Sequence, residues 1–272
     1  MNDHARFLAT CSEVPVERWE GGQASEARDS IAEETPLALI YNGLQHVVMM
    51  ASPADLEDFA LGFSLSEGVI ESPAQLHAVE TDRVGDGIAL YMDIDAVRAQ
   101  ALELQRRNLA GRTGCGLCGA ETIEQAVRHP APVANGVRVT PSALQDALAS
   151  LAQRQQLNAR TGAVHAAAWA TPGGELVAVR EDVGRHNALD KMIGALAREG
   201  RSFEHGFALI TSRASFEMAQ KAATVGMTLL AAISAPTGLA IRLAQETGLT
   251  LIGFARGRNF NVYANPQRVH AV

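Results

Sequence analysis

The stretch that most limits what this chain can fold into lies between residues 207 and 254. Three short apolar runs, at 207–211, 228–234 and 249–254, are separated by helical patterns over 214–225 and 237–247. Runs that are apolar at nearly every position need burial on both faces. The intervening helices supply that cover, and strands joined by helices run parallel. This part of the chain therefore predicts a sheet with helices on both faces.

The flanking pattern extends the same unit. Thr140-Pro141 opens a helix to about residue 157, since threonine can cap and proline suits the first turn. Residues 164–170 and 175–180 form a hairpin around Pro172-Gly173-Gly174, and a helix follows over 185–199. Residues 140–272 read as one α/β domain. Residues 31–110 read as a smaller α+β subdomain. In it, 37–41 and 45–50 flank Asn42-Gly43, a strong two-residue hairpin signal. Ser52-Pro53-Ala54-Asp55 then predicts the start of a helix running to about Glu67, with Gly68 as its stop. A second hairpin is expected over 76–81 and 88–94 around Gly85-Asp86-Gly87, with a candidate helix over 95–108. Residues 111–139 form a glycine-rich loop and linker broken by Pro130, Pro132 and Asn135-Gly136. Residues 1–30 are expected to be a loosely ordered tail, with Cys11 an incidental thiol.

Composition narrows the function classes. At 272 residues, 47% hydrophobic and 19% charged, the chain can bury a sizeable core and is not globally disordered. A net charge of -7 argues against general nucleic-acid binding. Three cysteines, an odd number, do not make a disulfide framework and favour a reducing cytoplasm. The polar, acidic first 30 residues do not read as a signal peptide, and no apolar run is long enough to span a membrane.

Polar residues collect at the carboxyl ends of the core strands. Glu181-Asp182-Val183-Gly184-Arg185-His186-Asn187 follows one strand and Thr211-Ser212-Arg213-Ala214-Ser215 the next. Ser234-Ala235-Pro236-Thr237 and Arg256-Gly257-Arg258-Asn259 follow the other two. Three of the four sets precede helix N-termini. Ligands of open α/β sheets bind along that rim, and helix N-termini with nearby arginines suit phosphate. An anionic ligand, a nucleotide or a diphosphate, is the expectation; ordinary caps and solvated loop charges are the alternative for each set alone. No phosphate-binding glycine motif of the ATPase or dinucleotide type is present. His165 sits within an apolar strand, where a core histidine is the default. Glu217 and Lys221, four apart on one helix, read as a solvated ion pair.

The chain also carries Arg112-Thr113-Gly114-Cys115-Gly116-Leu117-Cys118-Gly119. This run holds too much glycine for a helix or strand interior. It can present both sulfurs, and Arg112 favours the thiolate. Three chemistries compete: half of a zinc site, a dithiol redox pair, and a persulfide carrier whose thiolate accepts sulfur and passes it on. Spacing alone does not separate the last two.

Longer runs resemble a known family. Thr161-Gly162-Ala163-Val164-His165-Ala166-Ala167, the stretch Glu181 to Lys191, Ser212-Arg213-Ala214-Ser215-Phe216-Glu217-Met218, Ser234-Ala235-Pro236-Thr237 and Gly253 to Tyr263 are similar to the FdhD family. This is the family of formate dehydrogenase accessory sulfurtransferases, and the resemblance runs from about residue 35 to the C-terminus. It implies a cytoplasmic homodimer with a cytidine-deaminase-like core. It also implies that the protein takes sulfur from a cysteine desulfurase as a persulfide. The sulfur then goes to a molybdenum or tungsten bis(guanine dinucleotide) cofactor destined for the formate dehydrogenase catalytic subunit. Cys115 matches the persulfide cysteine and Cys118 its partner. Phe254, Ala255, Arg256, Gly257, Arg258 and Asn259 match the cofactor-binding segment. Asp182, His186, Arg213, Ser215 and Ser234 are the other rim residues expected to touch the cofactor, with GDP as its analogue. Zinc deaminases carry H-x-E and P-C-x-x-C where this chain has His186-Asn187-Ala188 and Ser212-Arg213-Ala214-Ser215. The resemblance therefore implies no catalytic metal. A non-catalytic module that only holds the cofactor is the alternative function.

Overall fold

A computed structural model describes residues 9–110 and 129–270. The proposed persulfide pair, Cys115 and Cys118, lies outside the described residues.

The chain first forms an antiparallel arm, β1 (Cys11–Glu20) and β2 (Gln23–Ala32), around Gly21-Gly22. Both glycines have positive φ, as a tight hairpin turn requires. The arm replaces the loosely ordered tail expected from sequence. Its side chains are mostly exposed, so no apolar face marked it as a strand. β3 (Thr35–Tyr41) and β4 (Leu44–Ala51) pair around Asn42-Gly43 as expected. β5 (Leu76–Val84) and β6 (Gly87–Ile94) form the second hairpin. These four strands make one sheet in the order β4-β3-β6-β5, with β3 and β6 parallel at its centre. β3 alternates buried and half-buried residues, so Leu37, Leu39 and Tyr41 point inward.

The helix between these hairpins, α1 (Leu56–Ser66), starts later than the sequence suggests. Its first-turn flank is Asp55, in a left-handed conformation, and not Ser52. Ser52 is committed elsewhere, as described below. After β6 comes α2 (Ala96–Ala110), the candidate helix of the sequence reading.

The second sheet has six strands, ordered β12-β11-β10-β9-β7-β8. They are β7 (His165–Ala170), β8 (Leu176–Asp182), β9 (Phe207–Ile210), β10 (Leu229–Ala232), β11 (Thr250–Arg256) and β12 (Asn259–Ala264). β9, β10 and β11 are parallel, as their unbroken apolar character predicts. β12 is an antiparallel edge strand that sequence reading missed. One face is covered by α3 (Pro141–Arg154), capped by Thr140 and followed by the short α4 (Gln156–Thr161). The other face is covered by α5 (Arg185–Arg198), α6 (Phe216–Thr224) and α7 (Gly238–Thr247). The fold is thus mixed α/β with helices on both faces of the larger sheet.

The smaller sheet and the larger domain share one core. Leu37, Phe59, Leu90, Met192, Leu230 and Leu243 belong to the same buried apolar cluster. Their junction is the crossing of α1 and α5. A Cβ built on Gly62 would fall on the backbone of Asp190, and one on Gly194 on the backbone of Asp58. The two helices touch backbone to backbone there, which only glycine permits. Among the described residues no helix is long and apolar enough to cross a membrane.

Candidate functional site

The parallel strands end side by side, and the loops that follow are stitched together. The Ile233 N–H donates to the Ile210 carbonyl and the Thr237 N–H to the Ala214 carbonyl. The Phe254 N–H donates to the Ser234 carbonyl, and Arg256 Nε reaches the Ile233 carbonyl at 2.9 Å. β7 runs opposite to β9, so its first residue, His165, stands at this same edge, paired with Asp182 at the end of β8. The four polar sets therefore form one continuous rim.

Its two ends differ. At the β10–β11 end, Gly253 leaves room for the Pro236 ring, which a Cβ would strike, so the Ser234 loop lies against β11. The register of β11 and β12 then shifts between Gly253 and Arg256. Within this bulge Phe254 has φ +52° and is 43% exposed. A bulky residue in the left-handed region is strained, and here it directs an aromatic ring toward solvent at the sheet edge. Arg256, Gly257, Arg258 and Asn259 are exposed in the hairpin to β12. Gly257 takes a positive φ in that turn, and the Arg258 carbonyl accepts from Gln145 of α3.

At the β7–β9 end, Arg185 and His186 open α5, and Ser215 precedes α6. His186 Nε2 lies 2.7 Å from Glu217 Oε2, and an Arg185 guanidinium nitrogen lies 3.9 Å from the same oxygen. Among the described residues Arg185 Nε and Ser215 Oγ are buried atoms with no hydrogen-bond partner. Such groups are rare, because each forfeits the hydrogen bonds it made to water. Polar atoms waiting beside a helix N-terminus are what an oxyanion would satisfy. Arg213 is exposed in the neighbouring loop.

Two expected site residues do not face the rim. Ala255 is 1% exposed and belongs to the core beneath α3, between the outward Phe254 and Arg256. Asp182 is fully buried and both its oxygens are committed. Oδ1 accepts from the Gly184 N–H at 2.8 Å and from Asn187 Nδ2 at 3.0 Å. Oδ2 accepts from the Ser52 N–H at 3.0 Å and lies 2.6 Å from Lys191 Nζ. Lys191 also donates to the Ser52 carbonyl, and Ser52 Oγ accepts from the Val183 N–H. The Asp182 carboxylate clamps the Val183–Gly184 turn and ties the first sheet to it. This is why Ser52 does not cap α1.

The expected solvated pair of Glu217 and Lys221 is likewise absent. Lys221 is 6% exposed and points into the core. Its Nζ lies 2.7 Å from Glu67 Oε1 and 2.9 Å from Asp190 Oδ2, and 5.1 Å from the centre of the Phe63 ring. Burial alone would lower its pKa, but the two carboxylates outweigh burial and hold it above the ordinary lysine value. Sequence reading missed Asp190, Lys191 and Lys221 as core groups. A signal existed: Asp190 and Lys191 interrupt an apolar stretch of α5, between Leu189 and Met192. His165 is half-buried at the rim, and burial, then the charges of Arg185 and His186, lower its pKa.

A model of the FdhD/NarQ family matches residues 32–270. The chain is 54% identical over 254 residues to the Sulfur carrier protein FdhD of Xanthomonas euvesicatoria pv. vesicatoria, covering 93% of this chain and 90% of that protein. It is 51% identical over 260 residues to the Sulfur carrier protein FdhD of Cupriavidus necator, covering 96% and 90%. A crystal structure from Desulfotalea psychrophila, assigned there to a formate dehydrogenase accessory protein, has the same fold. Its TM-score is 0.77 over 96% of this chain and 100% of that one, at 24% identity.

Proposed function

Because the chain belongs to the FdhD/NarQ family, we propose that it is a sulfur carrier serving formate dehydrogenase. The observation that carries this reading is the identity of half its residues, along nearly the whole chain, with two proteins named as sulfur carriers. Cys115 is the acceptor. Its thiolate attacks the outer sulfur of a persulfide on a cysteine desulfurase; that S–S bond breaks, the donor cysteine leaves as thiolate, and Cys115 holds the transferred sulfur. Cys118 assists in relaying it. The recipient is a molybdenum or tungsten bis(guanine dinucleotide) cofactor on its way to the formate dehydrogenase catalytic subunit.

The rim is where that substrate binds in this reading. Each guanine dinucleotide carries a diphosphate, and the rim offers Arg185, Arg213, Arg256 and Arg258, the unpaired Ser215 hydroxyl, and an exposed ring at Phe254 for a base to stack on. The β7–β11 region serves as a deaminase-like scaffold turned to nucleotide binding, and the carrier works as a cytoplasmic homodimer. The test is complementation of a host that lacks its own protein of this family. The parent chain is expected to restore formate dehydrogenase activity and Cys115→Ala to leave none. Restoration by Cys115→Ala would replace the carrier with a chaperone that only holds the cofactor.

A further inference from the structure

The β7–β9 end of the rim already contains an anion. Glu217 stands in the first turn of α6, yet its carboxylate is turned to the first two residues of α5, His186 at 2.7 Å and Arg185 at 3.9 Å. The carboxyl is held below the usual range, first by its hydrogen bond with His186 and also by the charges of His186, Arg185 and Lys221. His165 of β7 lies near enough to Arg185 and His186 for their charges to act on it. Of these groups Lys221 is bound into the core by Asp190 and Glu67, so Arg185 and His186 are the groups that the Glu217 carboxylate covers at the rim. The Glu217 side chain is 60% exposed, against 24% for His186 and 35% for Arg185. The Arg185 guanidinium and the His186 ring are thus covered by a carboxylate that is itself open to water and held by its side-chain contacts with those two residues. Arg185 Nε, and Ser215 Oγ just before α6, have no hydrogen-bond partner among the described residues.

We propose that Glu217 is a displaceable counter-anion. It occupies the Arg185–His186 focus in the free protein and swings out when the diphosphate of the incoming ligand takes its place. The inference rests on the nucleotide reading of the rim. It adds a selection rule: a ligand must bring more negative charge than one carboxylate to win the exchange, so diphosphates are admitted over singly charged anions. A carboxylate that merely oriented His186 would act in the opposite direction, because removing it would weaken binding.

The experiment is calorimetric titration of the parent and Glu217→Gln with GDP and with inorganic pyrophosphate. Thermal denaturation serves as the folding control for this exposed, near-isosteric change. Removing a like charge from the anion site is expected to tighten both ligands on the order of tenfold. If GDP binds neither protein while pyrophosphate binds Glu217→Gln more tightly, the guanine reading fails and the counter-anion stands. If neither ligand binds Glu217→Gln more tightly than it binds the parent, the counter-anion is overturned.

Discussion

Gly194→Ala is expected to destabilise the protein by roughly 3–5 kcal/mol, the opposite of what the same change does in an ordinary helix. In a helix interior alanine is better than glycine by about 1 kcal/mol, because glycine loses more backbone freedom on ordering. Here the new methyl would sit on the carbonyl of Asp58 in α1, and no flexible side-chain end is available to move aside. The helices would have to separate, and the apolar cluster on both sides would separate with them. It runs from Phe59 and Phe63 to Leu189 and Ile193. The carboxylate of Asp58 would also be pulled from Arg180 and Arg198, which hold it at 2.7 and 2.8 Å. Chemical denaturation of the purified variant measures the loss. A midpoint equal to that of the parent would mean that α1 and α5 do not cross as closely as described.

The second large effect concerns the buried clamp beneath the rim. Lys191→Met is expected to cost about 3–5 kcal/mol, since it strands the Asp182 carboxylate in a site with no exposure. Three donors to Asp182 would remain, but the Lys191 ammonium 2.6 Å from it would be gone. Adding Asp182→Asn to Lys191→Met removes the stranded charge as well. The double variant should therefore recover part of the loss, giving a coupling of about 1–3 kcal/mol in the cycle. Additive losses would show that the two groups stabilise the fold independently.

Local patterns were enough for much of this architecture. Asn42-Gly43 announced its hairpin because both residues tolerate positive φ, which they adopt. The strands between 207 and 254 were legible because burial on both faces leaves little room for polar residues. The β1–β2 arm was not, since its strands expose most of their length and hide no apolar face. Ser52 misled because its capping ability is real but is used across the molecule, on Val183 rather than on its own helix. The rim was readable at the level of loops, because topology puts the carboxyl ends of β8, β9, β10 and β11 on one edge. It was not readable at the level of single side chains. Ala255 joins Ile252 in the core beneath α3 because the bulge at Phe254 shifts the alternation along β11, which a nearly continuous apolar run conceals. The contact that ties Asp182 to Ser52, and those that hold Lys221 to Glu67 and Asp190, join residues far apart in sequence, so no local pattern could have assigned them.

The central claim is that Cys115 receives sulfur, and the most direct measurement is intact-protein mass spectrometry after incubation with a cysteine desulfurase, its pyridoxal cofactor and cysteine. The account predicts a gain equal to one sulfur atom, lost on mild reduction and mapped to the peptide containing Cys115. It predicts no such gain in Cys115→Ala. An unmodified parent protein, or the same gain in Cys115→Ala, would contradict it.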